Sequence, residues 1–350
     1  APAPAATPAP RPAAAGGHTL IPNTPLPWAL LRGDDADVTL KIALLRLHGQ
    51  DTRDVALHLV LKGGMLRLDP FSATLPQGHL SATLTADAAK PVPPVALTLS
   101  APGLALASLL KAAGMSGYAT GNLEIRADLR GAGISPHAIA ASLDGRLGLA
   151  MQGGSIDKVA LGHLLGGVLA QINALSQGKI GGGGSVSQVR CFALRGNFTN
   201  GVGVLNPLLL SSSLLTMDGS GSVSLGPETL DLHLRPQGKV AGTSLVFPVR
   251  VTGSLAAPQT ALDAVGAAEA NAGTVAGAAL GAATGLGPLA GLLGADKVLG
   301  GPDPCPAALA AARFGAAPAA SSQSPATAHP AAKPANNPAK AVGDFLKKLF

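Results

Sequence analysis

Aromatic side chains are scarce in this sequence. One Trp, one Tyr and seven Phe make up 3% of its 350 residues. Stacking platforms for nucleobases are therefore few, and any large core has to be built from Leu, Val and Ala. Charge is scarce too. Charged residues are 13% and the net +6 is spread thinly, with no Lys/Arg block of the kind that follows a phosphate backbone. Nucleic acid is not an expected partner. Cysteine is limited to Cys191 and Cys305, which lie far apart and outside any CxxC or zinc-type cluster, so no metal site is expected. Two states are open to these thiols: a disulfide in an oxidising compartment, or two free buried side chains. A secretory signal is also missing. APAPAATPAPRPAAAGG has neither a basic start nor an apolar stretch. Residues 1–19 read as Pro/Ala linker, as expected for the inside of a longer chain.

Reactive chemistry is as thin as charge. A nucleophile elbow needs G-x-S-x-G, and AGMSGY and DGSGSV both miss that spacing. A phosphate-cradling loop needs a strand before it and a helix after it. GLGPLA (285–290) fits the letters, but an Ala/Gly run precedes it and Pro288 sits inside; GVGVLN breaks at its third position. The eight histidines are scattered. His58 and His233 alternate onto polar faces, as do Asp128, Asp144 and Asp231. No catalytic residue and no cofactor are assigned, and the chain is read as non-enzymatic.

What the sequence has is period-two alternation. Apolar residues are 47%, with 46 Gly and 29 Pro, a profile of many short strands joined by tight turns. DVTLKIALLRLHG places Val38, Leu40, Ile42 and Leu44 on one face, and RDVALHLVLKGG does the same with Val55, Leu57, Leu59 and Leu61 before a Gly-Gly turn. GHLSATLTAD sets Leu80, Ala82 and Leu84 against Ser and Thr, and PVALTLSAPG adds Val95, Leu97 and Leu99. NLEIRADLRG puts Leu123, Ile125, Ala127 and Leu129 opposite its polar residues. IAASLDGRLGLAMQGGSI reads as a further strand or hairpin carrying Leu147 and Leu149. In GSGSVSLGPETLDLHLRPQGK, Leu230, Leu232 and Leu234 oppose Asp231, His233 and Arg235. This is the pattern of half-buried antiparallel strands. Helical spacing is confined to 104–115 and 157–177, the latter with Asp157 as cap.

Two segments echo each other. GGMLRLDPFSATLPQGHLSATLTAD and GVGVLNPLLLSSSLLTMDGSGSVSLGPETLDLHL share a Gly turn, a strand, a Ser/Thr-rich apolar strand and a further Gly-led strand, which suggests a sheet that grows by similar strand pairs. The organisation read from this is a β-sheet domain over 20–260, an Ala/Gly-rich helical region over 261–314 closing with Cys305, and a Pro/Ala tail over 315–350 ending in the amphipathic VGDFLKKLF. Ala270–Gly294 carries no charge and has the length of a membrane span, but it holds little Leu, Ile or Phe. A loosely packed helix is the competing reading.

Two helices are too few to cover so many strands. Either the apolar face closes on itself as a β-sandwich core, or it is an open groove lined by Leu, Ile and Val that takes acyl chains. Alternation explains both equally well.

The segment from Gly184 onward separates them. It carries a strand with Cys191, a turn at Asn200-Gly201-Val202, and Gly219, Gly221, Val223 and Leu225 in one strand. ETLDL-L-P follows (Glu228 to Leu232, Leu234, Pro236), then Pro248, Val251, Gly253, Leu255 and Pro258, and DPCPAALAAAR closes at 303–313. This layout, with LRLDPFSATLPQGHLSATLTAD and DLRGAGISPHAIAASLDGRLGLAMQGGSI upstream, resembles the AsmA family over residues 21–314. That family looks related to bridge-type lipid-transfer proteins. The resemblance implies an elongated, curved antiparallel β-sheet with an apolar groove, a few short helices at one side or end, a periplasmic body and an inner-membrane anchor ahead of the linker. It implies phospholipid and membrane as partners, with a role in outer-membrane biogenesis and homeostasis. Leu40, Ile42, Leu57, Leu59, Leu84, Leu97, Leu99, Leu123, Ile125, Leu129, Leu147, Leu149, Leu230, Leu232 and Leu234 are then the groove candidates, and an oxidising periplasm implies a Cys191–Cys305 bridge. The competing function is a non-transporting assembly or regulatory factor that acts on outer-membrane protein insertion through contacts with assembly proteins.

Overall fold

The computed structural model describes residues 19–47, 50–75, 78–112, 117–157, 186–240, 243–246, 248–263 and 303–316. Among them the alternating segments form strands β1 (Ala36–Leu47), β2 (Gln50–Lys62), β3 (Met65–Leu75), β4 (Gly78–Asp87), β5 (Pro94–Ala105), β6 (Ala119–Thr120), β7 (Asn122–Ala132) and β8 (Asp144–Gln152). They continue as β9 (Ser155–Asp157), β10 (Val186–Thr199), β11 (Val202–Ser212), β12 (Thr216–Ser224), β13 (Thr229–Val240), β14 (Thr243–Val246), β15 (Val249–Ser254) and β16 (Ala257–Leu262). Thirteen of them follow one hydrogen-bonded path, β1-β2-β3-β4-β5-β7-β8-β10-β11-β12-β13-β15-β16, and every neighbouring pair is antiparallel. β1 and β16 do not pair with each other, so the sheet is open. The protein is mainly β, one open antiparallel sheet with a few short helices.

Turn chemistry sets the register. Gly63 (φ 56°) and Gly64 (φ 81°) join β2 to β3, and Asn200 (φ 49°) and Gly201 (φ 72°) join β10 to β11. Two successive left-handed residues make the tight turn whose twist matches paired strands, and Gly and Asn occupy it at least cost. The two echoed segments superpose in kind. Each holds a cis X-Pro bond, Asp69-Pro70 and Asn206-Pro207, and each lies at a register shift, between Leu68 and Phe71 and between Leu205 and Leu208. A proline has no N–H for the ladder, so a strand tolerates it at such a bulge.

The helices depart from the sequence reading in position. The expected helix over 104–115 is α1, Leu106–Ala112; Leu104 and Ala105 still pair with Leu123 and Asn122 as strand. Part of the segment expected as strand or hairpin is helical instead: α2 spans Pro136–Ala141. Ser135 caps it, accepting from Ala138 N–H at 3.2 Å, and Pro136 takes the first position, where a missing N–H costs nothing. α3 spans Pro304–Ala312 with Asp303 as cap and Pro304 first. Asp157, expected to cap a helix, is instead the last residue of β9 and pairs with Val186; residues 158–177, most of the Ala/Gly region and nearly all of both Pro/Ala segments lie outside the described residues.

Residues 20–35, read as the start of the sheet domain, are not strand. Pro22, Pro25 and Pro27 interrupt any ladder, and the segment runs as a strap along one end of the strands, with a 3-10 turn at Trp28–Arg32. Glu228, buried at 5% exposure, accepts from the N–H groups of Leu20 and Ile21 at 2.5 and 3.1 Å. Ser135 Oγ donates to Asn23 at 2.7 Å, Leu26 N–H donates to Ile134 O at 2.8 Å, and Asp35 accepts from Gly63 N–H at 2.8 Å. The strap thus touches the β12–β13 turn, α2 and the β2–β3 turn before entering β1.

Candidate functional site: the apolar face of the sheet

Directly paired residues in an antiparallel sheet point to the same side, so the pairing register gives the faces. One row runs Leu40, Leu57, Phe71, Ala82, Leu99, Ala127, Leu147, Gly196, Leu205, Gly221, Leu232, Val251. A parallel row runs Val38, Leu59, Leu68, Leu84, Leu97, Leu129, Gly145, Phe198, Gly203, Val223, Leu230, Gly253. A third begins at Ala101 and passes through Ile125, Leu149, Leu194, Leu208, Gly219, Leu234 and Val249. Ile42 joins the same face opposite Val55, and Leu123 opposite Met151. All the groove candidates named from the sequence therefore share one face. No polar or charged side chain interrupts the three rows. At about 4.8 Å between strands, the longer rows extend roughly 50 Å across the sheet.

This face is not equally covered along its length. Val38 and Leu40, on β1, are 48% and 44% exposed, whereas Leu234 on β13 and Val249 on β15 are 5% and 2% exposed. Most candidates between them are half-buried. At the β8–β15 end, Met151, Val189, Leu210, Leu215, Met217, Leu234 and Val249 form a packed cluster with Leu106, Ile156 and Leu214 against it. Glycines lower the floor there: a Cβ on Gly203 would run into the Phe198 ring, and one on Gly219 into Leu234. Those large side chains can lie flat because the residue beneath them has none.

The opposite face is built differently. It carries cross-strand ion pairs, Arg235 with Asp218, Arg250 with Asp231 and Arg146 with Asp128, and a hydrogen bond between His58 and Asp37. Arg250 donates to Asp231 through Nε at 2.9 Å and Nη2 at 2.7 Å. That hydrogen bonding is the main reason the Asp231 carboxyl sits below its ordinary value of 3.8, with the Arg250 charge adding to it against a desolvation penalty. Over β8, β10 and β11 this face turns apolar, and α3 docks there: Ala150, Cys191, Ala193 and Leu209 pack on Cys305, Ala308, Leu309 and Ala312. Cys191 and Cys305 form a disulfide with Cα atoms 5.9 Å apart. Just beyond the helix, Arg313 Nε donates to Glu124 Oε2 at 2.8 Å and its Nη2 to Oε1; both side chains are buried. Arg146 and Arg195 flank the Phe314 ring at 4.7 and 5.5 Å from its centre.

Sequence reasoning omitted Phe71, Phe192, Leu194, Phe198, Leu205 and Leu208 from the face. The alternation Phe192, Leu194, Gly196, Phe198 against Ala193, Arg195, Asn197 was present in CFALRGNF, but burial of Cys191 and Ala193 on the other side blurs it into a near-continuous apolar run. Among the described residues no group of three His, Cys, Asp or Glu is placed to hold a metal ion, and no helix is long and apolar enough to cross a membrane.

The fold and its two faces define a class: an open antiparallel sheet with three unbroken apolar rows on one face, backed by ion pairs and a disulfide-tethered helix. The sequence model described as the AsmA family matches residues 5–208, more than half of the chain. The chain belongs to the AsmA family. It is similar to the AsmA family protein YhjG of Escherichia coli (strain K12), with 29% identity over 233 residues, 66% of this chain and 33% of the relative. The chain thus spans about a third of that curated relative's length. No solved structure matches it.

Proposed function

We propose that the apolar face holds the acyl chains of phospholipid, and that the chain is a periplasmic lipid-binding module serving outer-membrane biogenesis and homeostasis. The observation that carries this reading is the set of unbroken rows from β1 to β15. An acyl chain gains about 0.8 kcal/mol for each CH₂ removed from water and has no use for specific polar partners, so it needs a continuous apolar track and little else. Membership of the AsmA family supports a lipid-transport-related role.

Native mass spectrometry of the purified chain, with extraction of the same sample, tests this. Bound phospholipid is expected, and Leu59→Asp with Leu97→Asp should remove most of it. Thr98→Asp, on the same strand as Leu97 but on the polar face, should leave it in place. Folded protein that carries no lipid and takes up none from vesicles overturns the reading, and contacts with outer-membrane assembly proteins then become the function to pursue.

A further inference from the structure

Among the described residues β1 is the first strand of the sheet path. Among the described residues no strand pairs with the outer side of β1, a strand of 12 residues. Val38, Leu40 and Leu44 on it are 48%, 44% and 50% exposed. An edge of this length presents a row of unpaired N–H and C=O groups that accepts another strand. Its one cation in the middle, Lys41, is the residue that normally discourages such pairing.

The geometry points to a second copy of this chain as the occupant, paired antiparallel β1 to β1 about a two-fold axis through Thr39. In that register Asp37 of each copy lies opposite Lys41 of the other, so both charges are matched twice, and Thr39 faces Thr39. On the apolar side Val38 meets Leu40 and Ala36 meets Ile42, each twice. An axis through Val38 leaves Asp37 opposite Thr39 and gives Lys41 only Asp35, which lies outside β1 and already accepts from Gly63 N–H; the other neighbouring registers do worse. An axis through Leu40 leaves Asp37 opposite Ala43, an axis through Lys41 stacks two lysines, and an axis between residues sets apolar positions against polar ones. Asp37 remains available, since its side chain is 69% exposed even with His58 at 2.9 Å. An isologous contact of this kind closes as a dimer and sets the two apolar faces side by side as one surface. The proposal does not depend on what that surface binds.

Sedimentation velocity and cross-linking of the 350-residue chain test it. A species of twice the 34.3 kDa chain mass is expected. Thr39→Cys should form an inter-chain disulfide on oxidation, because directly opposed strand residues fall within the Cα spacing a disulfide spans; Lys41→Cys alone should not. Lys41→Asp and Asp37→Lys should each shift the dimer towards monomer at least tenfold, and the double swap should restore it. A monomer at all concentrations with Thr39→Cys uncross-linked overturns the proposal. So does a dimer indifferent to both charge reversals, which would place the contact on another surface.

Discussion

Two pairs of charges on the polar face behave differently because one is buried and the other is not. Glu124 and Arg313 are closed off from water beneath the end of α3. Removing one partner strands a buried charge, so Glu124→Ala is expected to cost about 3–5 kcal/mol in denaturant unfolding, while replacing both by apolar residues should come near neutral. Asp231 and Arg250 lie in water. A carboxyl held below 3.8 binds fewer protons in the folded than in the unfolded chain between those two values. Its contribution is therefore complete above the unfolded value and is lost as pH falls through the lowered one. The urea midpoint of Asp231→Asn should lie slightly below that of the parent chain at neutral pH, as befits an exposed pair, and the two should converge below about pH 4, where the parent loses the contribution that the variant never had.

At the scale of elements, α3 is the part whose placement depends most on long-range contacts. At nine residues it has no stability alone; the disulfide closing a span of 114 residues and the packing on β8, β10 and β11 hold it. Gly148 sits where the helix end comes closest, and a Cβ there would overlap the carbonyl oxygen of Ala312. Gly148→Ala should cost about 1–3 kcal/mol by displacing that end, and opening the disulfide by Cys191→Ser with Cys305→Ser about 2–5 kcal/mol, both read as shifts in unfolding midpoint. α2 was legible in retrospect. Ser135-Pro136 is a helix start, but the apolar letters of HAIAASL fit a strand equally well over so few residues.

Across the whole molecule, the strap ties distant parts of one rim together. Glu228 holds Leu20 and Ile21 across 208 and 207 residues of sequence, and the chain then returns along the strand ends to β1. Glu228→Ala should raise hydrogen exchange at Leu20 and Ile21, whose amides it holds, while the amides of β4 and β5 keep their protection, because the strap hangs on isolated bonds and the strands on ladders. If β4 and β5 loosen together with the strap, the strap belongs to the cooperative unit of the sheet.

The sequence by itself determined the period of the fold. Side chains alternate across a strand whatever lies beyond it, so Leu97 and Leu99 against Thr98, or Leu230, Leu232 and Leu234 against Asp231 and His233, already assigned two faces of opposite character. Pro-Gly punctuation and the echoed Asp-Pro and Asn-Pro strands were local as well. Only the tertiary structure decided that those faces align from strand to strand in unbroken rows, that α3 covers the polar side at Ala193 rather than the apolar one, and that residues 20–35 clip to Glu228 instead of opening the sheet. The rows rest on pairing between successive strands, and the last two outcomes on contacts between residues more than a hundred positions apart. Their energy comes from burial and charge pairing that exist only once both partners are in place, and no local pattern of letters carries it.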